Sequence, residues 1–173
     1  AQTAPSGRMV LADVGFVNSE AARYDPVADH YLVTNLGPRG EGNDGFISRV
    51  SPDGAIRALK WIEGGRDGTP LHEPLGLAIH GDEIFVADRD GETGQGAVRV
   101  FDRASGAYRR SIAVPDAARL NDLAAAPDGT LYVTDSGSQT DEGALYVISP
   151  AGEVGVFVAR GPETQRANGV AVT

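Results

Sequence analysis

Cysteine is absent from the 173 residues, which excludes disulfides, thiolate nucleophiles and every zinc site built on sulfur. Positive charge is scarce. Fifteen Lys and Arg face 24 Asp and Glu, a formal net charge of -9, and such a surface repels phosphate backbones and anionic membranes. Nucleic acid is therefore not expected as a partner. A membrane is not expected either, because no apolar run approaches the roughly 20 residues of a spanning helix. Aromatic residues make up only 6% of the chain, so small and branched side chains must supply the core. Helical periodicity with caps occurs nowhere. What is present is 41% hydrophobic residues against 23% charged, the balance of a packed soluble domain and not of a disordered chain. The stretch "AQTAPSG" at 1–7 is small, polar and without an initiator Met, as the mature end of an exported protein would be. The expected location is periplasmic or secreted, with the cytoplasm as the alternative.

One pattern is written three times. The segments "SEAARYDPVADHYLVTN", "PLGLAIHGDEIFVADRD" and "LNDLAAAPDGTLYVTDS" each read as an apolar strand, a tight turn and a second strand ending in Asn or Asp. Aligning the turns puts Glu20, Leu75, Asn121 and Asn168 at one repeat position, spaced by 55, 46 and 47 residues. Asn35, Asp88 and Asp135 coincide in the same way. A polar, Gly-rich loop follows each second strand, then a third strand ("GFISRV", "GAVRVF", "GALYVI"), a turn, and a fourth strand ("AIRALKWI", "AYRRSIAV", "EVGVFVA"). Alternation such as Val98 and Val100 inward against Arg99 outward predicts half-buried antiparallel strands.

Four short antiparallel strands at this spacing are the signature of a β-propeller blade, and a β-sandwich does not explain why the motif returns at the same phase. The predicted fold is an all-β propeller in a single domain over 1–173, with blades at 18–62, 73–114 and 119–159 and the start of a fourth at 166–173. That is about three and a quarter blades, so the propeller is expected to be incomplete in this chain, the rest coming from further native sequence or from a second copy.

In a propeller the first strand of each blade lines the axis, so Glu20, Asn121 and Asn168 are expected at one channel mouth. A carboxylate and amide carbonyls form an all-oxygen donor set of the kind that holds Ca2+, Mg2+ or Mn2+. The alternative is that each Asn caps its own turn through side chain to backbone hydrogen bonds. Leu75 interrupts the ring at the second blade.

These residues resemble the SMP-30, gluconolactonase and luciferin-regenerating-enzyme family of six-bladed propellers. The family's Arg-x-Asn-Asp of the third blade, Asn-Gly of the fourth and Glu of the first are matched by Arg119, Asn121 and Asp122, by Asn168 and Gly169, and by Glu20. The resemblance implies hydrolysis of small, sugar-type lactones. It implies a divalent metal (Ca2+ first, with Mg2+, Mn2+ or Zn2+ as alternatives) held by Glu20 and Asn168, with Asn121 as a further ligand or substrate contact and Arg119 gripping substrate oxygens. Two departures stand out. Ala21 and Ala22 replace the Gly-Pro that commonly follows the family's Glu, and the family's fifth-blade Asp, its candidate base, has no counterpart, so no catalytic residue is assigned. A non-catalytic propeller serving as a binding platform is the competing function.

Other motifs carry less. His30, His72 and His80 lack both HExxH spacing and a common repeat phase, and read as surface residues. Ser136 lacks the GxSxG elbow and reads as a loop serine. The loops "GEGNDG" at 40–45 and "DRDGETGQG" at 88–96 fit neither an EF-hand nor a phosphate-binding loop.

Overall fold

The computed structural model describes residues 10–38, 42–89, 93–138 and 142–173. The stretch at 1–7, and parts of the two Gly-rich loops at 39–41 and 90–92, lie outside the described residues. Three four-stranded antiparallel sheets account for the regular structure. The first holds β1 (Ser19–Asp25), β2 (His30–Asn35), β3 (Phe46–Val50) and β4 (Ile56–Glu63) in that order. The second holds β5 (Leu77–His80), β6 (Glu83–Arg89), β7 (Gly96–Asp102) and β8 (Tyr108–Val114). The third holds β9 (Leu120–Ala125), β10 (Leu131–Asp135), β11 (Ala144–Ile148) and β12 (Val154–Val158). Sequential strands pair with their neighbours throughout, which is what short hairpin connections allow. The turns at 51–54 and 126–129 end on Gly54 and Gly129 at φ 86° and 88°, a conformation that L side chains rarely adopt. This all-β meander architecture is compatible with part of a propeller.

The sheets stack through two apolar layers, and strand alternation decides which residues enter which layer. Ile84, Val86 and Phe101 face the first sheet, meeting Leu32, Ile47 and Ile62. Phe85, Ala87, Val98 and Val100 face the third sheet, meeting Leu120, Leu123, Leu131, Val133 and Tyr146. Fully burying each large side chain contributes on the order of 1.5–3 kcal/mol.

Because the second sheet is covered on both faces, β7 departs from the expected half-buried pattern. Arg99 does not reach solvent. It is 5% exposed and lies on the face toward the first sheet, where Nε donates to Asp88 Oδ2 at 2.9 Å and Nη1 to Ser111 Oγ at 2.8 Å. His30 likewise departs from a surface reading. It is buried at the start of β2, its ring edge-on to Trp61, with Nδ1 3.2 Å from the Ala28 carbonyl and Nε2 without a hydrogen-bond partner. Arg49 stacks on the same Trp61, its guanidinium carbon 3.5 Å from the ring centre. Burial, and then the Arg49 charge, hold the His30 imidazole below its ordinary pKa of 6.5, against the weaker pull of the Ala28 carbonyl, Asp25 and Asp29.

The innermost strands β1, β5 and β9 lie side by side. Where β5 approaches β9 the contact is between backbones. The Gly76 N–H donates to the Asn121 carbonyl at 2.7 Å, and a Cβ at Gly76 would lie 2.5 Å from Asp122 Cα and closer still to its carboxylate.

Two outcomes follow from this packing. Gly76→Ala must push the second and third sheets apart, and urea unfolding is expected to show a loss of about 1–3 kcal/mol or more. For His30, the unfolded chain takes up a proton below about pH 6.5 and the folded chain resists it, so stability is present above that pH and is lost as pH falls. Asp25, held at about 2 chiefly by its hydrogen bond from Arg103, contributes its own loss only in far more acidic solution. Denaturant midpoints between pH 7.5 and about 5 should therefore fall more steeply for the wild type than for His30→Gln.

Candidate functional site

A cavity of about 390 Å³ marks the axis. Its walls include Arg23 and Tyr24 of β1, Ala78 and Ile79 of β5, Ala124 and Ala125 of β9, and residues 170–172. Each pair stands three and four residues beyond Glu20, Leu75 and Asn121 respectively. The inner strands thus run in phase, and the four ring positions expected from the repeat begin them at one end.

The local backbone differs at those positions in a way the sequence does not announce. On β1, Glu20 and Ala21 together oppose the single residue Thr34, between the pairs Ser19–Asn35 and Ala22–Val33. On β9, Asn121 and Asp122 together oppose Thr134, between Leu120–Asp135 and Leu123–Val133. Both are β-bulges, which re-aim side chains and recur beside functional sites. The inner pair of the second sheet is bulged at the same place: the Leu75 N–H bonds the Ala87 carbonyl and the Ala87 N–H bonds that of Gly76, so Leu75 and Gly76 together oppose Ala87 ahead of the pair Leu77–Val86. Leu75 is buried at 1% exposure.

Backbone just before each inner strand is pinned by the buried residue that closes the second strand. Asp135 accepts from the Ala118 and Arg119 N–H groups at 3.0 and 2.8 Å, and from Arg160 at 3.0 Å. Asp88 accepts from the His72 and Glu73 N–H groups and from Arg99, while Asn35 accepts from the Val17 N–H at 3.0 Å. Burial pushes the Asp88 carboxyl up, and Arg99 with the two amides works against that shift. Coincidence in the repeat pointed to these three residues, and their role is to anchor the backbone at the mouth.

The side chains expected to act there are left unused by the fold. Asn121 is buried at 8% exposure, yet its amide makes no hydrogen bond among the described residues, whereas its carbonyl is held by Gly76. Asn168 is exposed, with its carbonyl held by Thr134 Oγ1 at 2.6 Å and its amide likewise unused. Neither Asn caps its turn. Glu20 and Arg119 are exposed and make no ion pair among the described residues, although the Arg119 main chain is fixed by Asp135. Asp122, by contrast, is spent on structure. It accepts from the Leu123 and Val170 N–H groups at 2.8 and 3.2 Å and lies 4.0 Å from Arg23, whose Nε donates to the Leu77 carbonyl.

Among the described residues no three of His, Asp and Glu are grouped to hold a metal, and His72 and His80 are half-buried on separate elements. The expected donors are instead one carboxylate and two amides, an all-oxygen set suited to a hard cation. The Asn121 amide, without a partner among the described residues and on a side chain otherwise packed into the fold, fits such a ligand.

No protein-family model and no curated protein matches the sequence. Among solved structures the chain is similar to a gluconolactonase of Xanthomonas campestris, with a TM-score of 0.59 and 16% identity over 89% of this chain and 51% of that one. The chain thus spans about half the length of that neighbour, and the likeness is one of fold. No helix among the described residues is long and apolar enough to cross a membrane.

If the Asn121 amide takes no part in holding the fold, Asn121→Leu should leave thermal stability unchanged or raise it by up to about 1–2 kcal/mol. A capping role would instead make the substitution destabilising by about 1 kcal/mol.

Proposed function

We propose that the chain belongs to a metal-dependent hydrolase of small, sugar-type lactones, with its site at the bulged mouth of the inner strands. The observation that carries this reading is the set of four polar side chains, Glu20, Arg119, Asn121 and Asn168, that have no partner among the described residues, the last three of them on backbone the fold holds by hydrogen bonds. The gluconolactonase fold likeness supports the substrate class. Glu20 and Asn168, with Asn121, are the residues that would hold a divalent cation, Ca2+ first and Mg2+, Mn2+ or Zn2+ as alternatives. Such a cation polarises a carbonyl and acidifies water when bound.

The chain's own residues supply orientation and charge. Arg119 offers a guanidinium with no partner among the described residues, on backbone that the buried Asp135 holds, and in this reading it donates to the oxyanion that develops when a lactone carbonyl is attacked. Asn121 offers an amide N–H to a substrate oxygen on its side away from the cation. Glu20 serves as a ligand, so the proton acceptor for water is not among these four. Leu75 contributes an apolar wall and no chemistry.

Hydrolysis of a small lactone panel by chelated protein, with each of the four cations added back, tests the reading. Turnover is expected only with cation. Glu20→Gln should weaken cation affinity by an order of magnitude or more, because it removes the set's only carboxylate. Arg119→Ala should lower kcat by about 100-fold with affinity for the cation retained. Absence of cation-dependent turnover on every lactone would overturn the proposal, and cation binding without turnover would point to a binding platform.

A further inference from the structure

The bulges of the first and third sheets share a device that the bulge of the second sheet lacks. Opposite each of these two stands a buried threonine, Thr34 at 0% exposure and Thr134 at 4%. In an unbroken ladder the residue opposite would offer its main chain to the inner strand. Here the side chain does so. Thr34 Oγ1 accepts from the Ala21 N–H at 3.0 Å, and Thr134 Oγ1 accepts from the Asp122 N–H at 3.0 Å. The N–H that each bulge leaves out of the ladder is thereby satisfied.

The hydroxyl proton is then free for a second bond, and in both cases it goes to the next inner strand. Thr34 donates to the Leu75 carbonyl at 2.7 Å and Thr134 to the Asn168 carbonyl at 2.6 Å. At the matching position of the second sheet stands Ala87, which has no hydroxyl, and there the N–H left out of the ladder, that of Gly76, bonds onward to the Asn121 carbonyl itself. Threonine and a polar ring residue occur together twice, and both are missing together once.

From this we infer that Thr34 and Thr134 are positioning residues for the cation-holding side chains: each hydroxyl links its bulge to the next inner strand and so sets the direction of its ring residue, Glu20 in one case and Asn121 in the other. Thr134 has a second target. The segment carrying Asn168 is held at three consecutive points by the third sheet, with Ser136 Oγ on the Ala167 carbonyl at 2.7 Å, Thr134 Oγ1 on the Asn168 carbonyl, and the Val170 N–H on Asp122. Thr134 therefore fixes two of the three expected ligands, and Thr34 fixes one. Neither touches the cation. The inference rests on the proposed cation site.

Thr34→Val and Thr134→Val keep the shape and remove the hydroxyl, while Thr34→Ser and Thr134→Ser keep the hydroxyl. Ser51→Ala is the control, because it removes a buried hydroxyl that bonds Asp53 and Ala55 in the turn after β3, at the other end of that strand from Asn35. Two readouts are taken on the full chain: amide hydrogen exchange at Ala21 and Asp122, and Ca2+ affinity by calorimetry. Faster exchange at the matching amide is expected in each valine variant. Ca2+ affinity is expected to fall about tenfold in Thr34→Val and further in Thr134→Val, the range seen when ligand-orienting groups are removed. The serine variants should restore both readouts, and Ser51→Ala should lower the unfolding midpoint with affinity unchanged. Folded valine variants that bind Ca2+ like the wild type, or an equal loss of affinity in Ser51→Ala, would overturn the positioning role alone. A wild-type chain that binds none of the four cations would overturn the proposed function and this inference together, a failure visible before any variant is compared.

Discussion

Where the inner strands of successive sheets crowd together, the carbonyl at the start of each strand has to be hydrogen-bonded from the sheet before it. Little room remains for side chains at that line. The Leu75 carbonyl is bonded by Thr34, that of Asn121 by the Gly76 N–H, and that of Asn168 by Thr134. Three donors of two chemical kinds, two hydroxyls and one main-chain amide, meet one geometric demand. Buried carbonyls without donors would cost more than these sheets gain from any single apolar contact across the gap. The stacking of the sheets, the phase of their inner strands and the direction of the ring side chains all depend on these bonds being made.

Charge is buried in the fold only where it organises backbone. Asp88 and Asp135 are fully inaccessible; Asp88 collects two main-chain N–H groups and an arginine, and Asp135 three and an arginine. A carboxylate in that position is costly unless its oxygens are hydrogen-bonded, and here every oxygen accepts. The result is a stiff base for the residues at the mouth, among them Arg119. Rigid backbone with idle side chains is the arrangement a binding site needs, because the entropy of ordering the groups is spent during folding and not when a ligand arrives.

The repeat was legible before folding. Glu20, Leu75, Asn121 and Asn168 share a phase because each follows from the same turn-strand grammar, and the residues three and four beyond the first three of them line one cavity. The anchoring residues Asn35, Asp88 and Asp135 were visible as a coincidence without a role. What could not be read was the bulge. An extra residue in one strand leaves the alternation of apolar side chains intact on either side, so "SEAARYD" and "LNDLAA" look like ordinary strands. Thr34 and Thr134, with Ala87 between them in the repeat, were a visible coincidence as well, a threonine recurring opposite the polar ring residues Glu20 and Asn121.

Sequence by itself determined the all-β character, the strand and turn positions and the repeat, because these rest on local chemistry: period-two alternation, Pro-Asp-Gly turns, glycine at positive φ. Only the tertiary structure decided which polar groups are consumed and which stay idle. Arg99 alternates with valines like a solvent-facing residue, yet the first sheet covers it and Asp88 claims it. His30 sits beside a turn, yet Trp61 and Arg49 enclose it. Asp122 and Asn121 are neighbours in one bulge, and one is spent bonding Val170 while the other keeps its amide. The reason is that burial and partnership are properties of two surfaces meeting, and a strand carries the pattern of its own faces without that of the sheet that comes to lie against it.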